Sequence, residues 1–87
     1  MAKARRPSAK EVFARNVRLA RRAREISQEQ LANVAGMSRA YLSEVEKAAR
    51  NISIDRMEAL ADALGYTVRE LVDEGLFAEL TAKSKKE

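Results

Sequence analysis

The sequence predicts an all-α fold, a compact domain of five short helices joined by short loops. Three observations predict it. Ser or Thr followed three positions later by Glu or Gln recurs along the chain, a spacing that lets the two side chains satisfy free backbone N–H groups at a helix start. Between these caps the apolar residues repeat at helical spacing. Alternating β-branched residues, the signature of a strand, do not occur, and Gly and Pro are scarce.

The first helix opens on Ser8-Ala9-Lys10-Glu11 and runs from about Ala9 to Arg24. Phe13, Val17 and Ala20 share one face, while Glu11, Arg15, Arg18 and Arg22 fall on the other. Ser27-Gln28-Glu29-Gln30 opens the second, with Leu31, Ala32 and Ala35 inward, and Gly36 ends it because glycine takes the left-handed conformation at little cost. Ser38 caps a third helix through about Lys47, with Leu42 and Val45 inward. Ser53 caps a fourth, where Met57, Leu60, Ala61 and Leu64 form the inner stripe before Gly65. Thr67-Val68-Arg69-Glu70 opens a short fifth with Leu71 and Val72. The expected organisation is a basic arm over 1–7, the helical domain over 8–75, and an extension over 76–87 that starts apolar and ends charged.

Eighty-seven residues suffice for one domain and two short tails. Cys and His are both absent, which argues against a disulfide, a thiolate nucleophile, a zinc site and a His-based catalytic dyad. No carboxylate spacing resembles a calcium loop. The expectation is therefore no enzyme activity, no metal and no cofactor. No apolar run has the length of a membrane span, and the first residues lack a signal peptide's apolar stretch, so no membrane partner and a cytoplasmic location are expected.

The net charge of +4 is unevenly spread. Lys3, Arg5, Arg6, Lys10, Arg15, Arg18, Arg21, Arg22 and Arg24 meet only Glu11 and Glu25 in the first part. From Asp55 to Glu79 the balance reverses, with Glu58, Asp62, Glu70, Asp73 and Glu74 against Arg56 and Arg69. Such asymmetry suits a protein with one anion-binding side and one side turned away from it. Only Gly36 and Met37 separate the second and third helices, a spacing that fits either a helical corner inside a bundle or a DNA-binding motif. A sharp, Gly-containing turn between two short helices is a helix-turn-helix arrangement, whose second helix presents its first residues to the major groove.

Several strings carry a family resemblance: Ser27-Gln28-Glu29-Gln30-Leu31-Ala32, Gly36-Met37-Ser38, Tyr41-Leu42-Ser43 with Glu46, and Leu60-Ala61-Asp62-Ala63-Leu64-Gly65 with Leu71. On these, Arg21 through Leu71 resembles the lambda-repressor-like helix-turn-helix family, also called XRE or Cro/cI-like. Arg50-Asn51-Ile52-Ser53 is further similar to the small controller proteins of restriction–modification systems. Two positions depart from the family pattern. Glu25 stands where Gly is usual before the second helix, and Ala48 where Gly usually ends the third. Ala resists the left-handed conformation, so the third helix is expected to run past Ala48 or the loop to take another path.

The resemblance implies that Arg39, Ala40, Ser43 and Glu44 face base edges. Arg grips guanine through two hydrogen bonds, Ala touches a thymine methyl, and Glu accepts from cytosine or repels phosphate. Gln28, Ser38, Tyr41, Lys47, Arg50 and Asn51 are the candidates for phosphate contacts, with Ser38 also a cap and Tyr41 also a partly buried ring. Arg21 and Glu46 are implied to form a structural ion pair. Val68, Val72, Leu76, Phe77 and Leu80 are the candidate dimer interface, since one recognition helix reads too few base pairs alone. The implied function is a homodimeric transcriptional regulator on a roughly palindromic double-stranded operator. Two alternatives share the fold: an antitoxin whose tail binds a toxin protein, and a protein-interaction module that binds no duplex.

Overall fold

The computed structural model describes residues 6–76 and 78. Its helices are α1 (Ala9–Ala23), α2 (Gln28–Ala35), α3 (Arg39–Glu46), α4 (Ile54–Leu64) and α5 (Val68–Leu71), with residues 74–76 helical beyond them. No strand occurs among the described residues. Helices α1 to α5 each start on a hydroxyl cap: the side chains of Ser8, Ser27, Ser38, Ser53 and Thr67 accept from the backbone N–H three residues on. At α1, α2 and α5 the reciprocal bond from Glu11, Gln30 and Glu70 completes a capping box.

The helix ends share a second device. After α2, Gly36 sits at φ 75°, its N–H reaches Asn33 O, and Met37 N–H closes back to Ala32 O at 2.9 Å. This Schellman ending satisfies carbonyls that the helix leaves without partners. α4 ends the same way through Gly65, Tyr66 and Ala61. So do α1 and α3, although their left-handed residues are Glu25 and Ala48, both at φ 58°. Ile26 N–H closes to Arg21 O, and Ala49 N–H to Glu44 O at 2.9 Å. The expectation at Ala48 is therefore overturned. α3 ends at Glu46, and Ala48 itself takes the glycine conformation, because the closing hydrogen bonds offset a steric cost of about 1–2 kcal/mol.

Phe13, Val17 and Ala20 of α1 pack with Leu31 and Ala32 of α2, Leu42 and Val45 of α3, Leu60, Ala61 and Leu64 of α4, and Leu71 of α5. α4 lies against α1 and α2, α5 against α1 and α4, and α3 against α1 and α2. That leaves one side of α3 outside the core. Asn16 is buried in the same face of α1 as Phe13 and Ala20. Its Nδ2 donates to Leu71 O at 2.9 Å and Asp73 O at 3.0 Å, tying the end of α5 to α1.

Candidate nucleic-acid interface

Leu42, Val45 and Glu46 face inward on α3. Helical geometry then turns the preceding positions outward, and Arg39, Ala40 and Glu44 are exposed while Ser43 is half-buried. Ser38 closes the first turn, its Oγ accepting from Tyr41 N–H at 3.0 Å. Arg39 and Ala40 thus stand on a capped and ordered helix start.

The angle of α3 is held by a buried network around Glu46, whose side chain is 3% exposed. Arg21 of α1 donates Nε to Glu46 Oε2 at 2.8 Å and Nη2 to Oε1 at 3.0 Å. Arg21 Nη1 also reaches Ile26 O, which anchors the loop entering α2. Arg18 donates to the Glu46 backbone carbonyl at 3.2 Å. Gln28 at the start of α2 is half-buried and donates Nε2 to Glu46 Oε1 at 3.0 Å. Its amide nitrogen keeps one further hydrogen for an outside acceptor. Removing one member of such a network leaves a buried charge unpaired, so its effect is positional as well as energetic.

Beyond α3 the cationic side chains converge on one ring. Tyr41 is half-buried against the core, and the guanidinium carbons of Arg50 and Arg56 each lie 4.7 Å from its ring centroid. Arg50 Nε also donates to Glu44 Oε1 at 2.7 Å, with both side chains about half exposed. Two residues expected to meet DNA separately are thus bound to each other. An exposed pair of this kind contributes only about 0–1 kcal/mol, so a phosphate can compete for Arg50 at small cost. Asn51 Oδ1 accepts from Lys10 Nζ at 3.3 Å, which brings the start of α1 to the same loop. Lys47 is exposed at the α3 cap.

Val68, Val72 and Leu76 pack partly against the core of their own chain. Phe77 and Leu80 lie outside the described residues, as do Lys3 and Arg5 of the arm. Among the described residues no cluster of carboxylates suits a metal ion, and no helix is long and apolar enough to cross a membrane.

A family model described as helix-turn-helix matches residues 17–71, which spans the Arg21–Glu46 network, the α2–α3 turn and the closing helices. The chain belongs to the helix-turn-helix family. Within this helix-turn-helix group it is 41% identical over 63 residues to control protein C.SmaI of Serratia marcescens, covering 72% of this chain and 75% of that protein. Control protein C.BamHI of Bacillus amyloliquefaciens is 36% identical over 63 residues, covering 71% and 78%. The solved structure of the restriction–modification controller protein C.AhdI from Aeromonas hydrophila superposes with a TM-score of 0.68 at 39% identity, over 71% of this chain and 94% of that one.

Sequence reasoning passed over three residues of this region. Asn16 carries a signal, since it is a polar residue lying i+3 from Phe13 and i−4 from Ala20 on the apolar face of α1. Arg18, assigned to the outer face, is half-buried and bound to the end of α3. Arg56, grouped with the acidic half of the chain, sits at Tyr41, and no local pattern announces that contact.

Proposed function

We propose that this helix-turn-helix protein is a sequence-specific duplex-DNA-binding transcriptional regulator that acts as a homodimer on a roughly palindromic operator, in the manner of a controller protein. It is a binding protein, with no catalytic step and no cofactor in its action. The observation that carries the reading is the division of α3. Its inner face is fixed by Leu42, Val45 and the Glu46 network, and its first turn offers Arg39 and Ala40 to an outside partner. A rigid helix with an exposed start is what major-groove recognition needs.

In this reading Arg39, Ala40, Ser43 and Glu44 meet base edges. Gln28, Ser38, Tyr41, Lys47, Arg50 and Asn51 position the duplex through its phosphates. The Arg21–Glu46 pair acts indirectly, by setting the angle at which α3 leaves the core. Val68, Val72 and Leu76 are each left partly exposed, and with Phe77 and Leu80 they are assigned to the dimer contact. Selection from a random duplex pool tests the proposal. The expected outcome is enrichment of one sequence with approximate two-fold symmetry, bound by two protein chains. A pool that stays random after repeated rounds would overturn it.

A further inference from the structure

We propose that the Arg56 guanidinium, held on the Tyr41 ring, is a ligand for a backbone phosphate of duplex DNA beside α3, an assignment that rests on the DNA-binding reading above. Arg56 is exposed, and its guanidinium carbon lies 4.7 Å from the centroid of the ring. The ring belongs to the first turn of α3, as Arg39 and Ala40 do, because Tyr41 N–H is the donor that Ser38 caps. A residue of α4 is thereby brought alongside the turn that faces the duplex.

The charges around the ring are unequal. Arg50 lies at the same distance from it but is neutralised by Glu44 at 2.7 Å. Arg56 enters no ion pair among the described residues, and Asp55 and Glu58 on its own helix do not engage it. Its side-chain N–H groups donate no hydrogen bond there either. Guanidinium stacked on an aromatic face is already ordered, and its donors stay available at the edge in a fork that matches two phosphate oxygens. Little side-chain entropy then remains to be lost on binding. A base edge is the less suitable partner, because Arg56 reaches the ring from α4, outside the helix placed in the groove. The backbone strand flanking that groove is the anion within its reach, and such contacts carry affinity without reading sequence.

The test compares full-length wild type, Arg56→Gln and Arg56→Lys on two duplexes of equal length, the pool-selected one and a scrambled one, across a salt series. Circular dichroism melting establishes that each variant folds. Arg56→Gln should weaken both duplexes by a similar factor, about tenfold near 0.1 M salt, and lower the slope of log affinity against log salt by about 1. Arg56→Lys should keep most of the slope, since it keeps the charge. Unchanged affinity and slope in Arg56→Gln would overturn the assignment. So would a loss confined to the selected duplex, which would make Arg56 a support for the base-reading residues of α3. In both cases the wild type still binds DNA steeply with salt, so only Arg56 falls. A wild type that binds neither duplex in a salt-dependent way would remove the underlying reading as well.

Discussion

Asn16 spends both hydrogens of a fully buried amide on the carbonyls of Leu71 and Asp73, while its Oδ1 has no partner among the described residues. Replacing it with Val strands the buried Leu71 carbonyl, at about 1–3 kcal/mol, whereas Asp73 O keeps the Leu76 N–H at 3.1 Å. The expected result is a urea midpoint far below wild type with little change in slope. Arg21 poses the corresponding question for a charge. Arg21→Met leaves Glu46 buried without its bidentate partner and should cost about 3–5 kcal/mol. Adding Glu46→Leu should recover much of that loss, because a buried pair replaced by apolar groups is often close to neutral in stability. A double-mutant cycle from unfolding curves measures the coupling; strictly additive effects would mean the network has no energetic unity. Both residues mark where local sequence pattern says little, and the Arg21–Glu46 pair is expected from the family resemblance alone. Asn16 breaks the polarity of a stripe and so leaves a trace. Arg21 and Glu46 are 25 positions apart, and only the crossing of α1 over α3 joins them.

The caps are the opposite case. Ser8, Ser27, Ser38, Ser53 and Thr67 act within three residues of themselves, so element order and starts are written locally. Helix ends are less legible. A Gly after the last turn announces the Schellman geometry at α2 and α4, whereas Glu25 and Ala48 adopt it without announcing it. The closing bonds and the packing of the next helix override the residue's own preference. These two positions consequently hold strain that glycine would release. Glu25→Gly and Ala48→Gly should each stabilise the fold by about 0.5–1 kcal/mol, the relief of the left-handed cost less the greater freedom of an unfolded glycine. Gly36→Ala should act in the other direction by about 1 kcal/mol, and through the backbone alone, since nothing lies within 4 Å of an added Cβ. Thermal melting checks the signs, with shifts of a few degrees in a domain this small. A fall in midpoint for Ala48→Gly would show that the loop is not strained.

For the molecule as a whole, the basic first half and the acidic second half do not divide cleanly in space. Arg56, from the acidic half, stands beside Arg50 at Tyr41, a contact set by the course of residues 47–53 rather than by charge pattern. Assembly is the second question at this scale. If the C-terminal apolar residues join two chains, Leu76→Ser with Phe77→Ser should sediment as a monomer with its helix content retained. Because Leu76 also touches its own core, Leu80→Ser provides a second variant for the same measurement. A dimer that survives both would move the interface elsewhere. Two chains so joined would set their recognition helices about 34 Å apart, one turn of DNA. The central claim, however, concerns what α3 does with its exposed start, and Arg39→Ala on selected and scrambled duplexes at one salt concentration tests it most directly. The account predicts a loss of about 5- to 150-fold on the selected duplex, the range of one paired guanine contact, and a much smaller loss on the scrambled one. Equal losses on both would contradict it, and would leave Arg39 a phosphate ligand that reads no sequence.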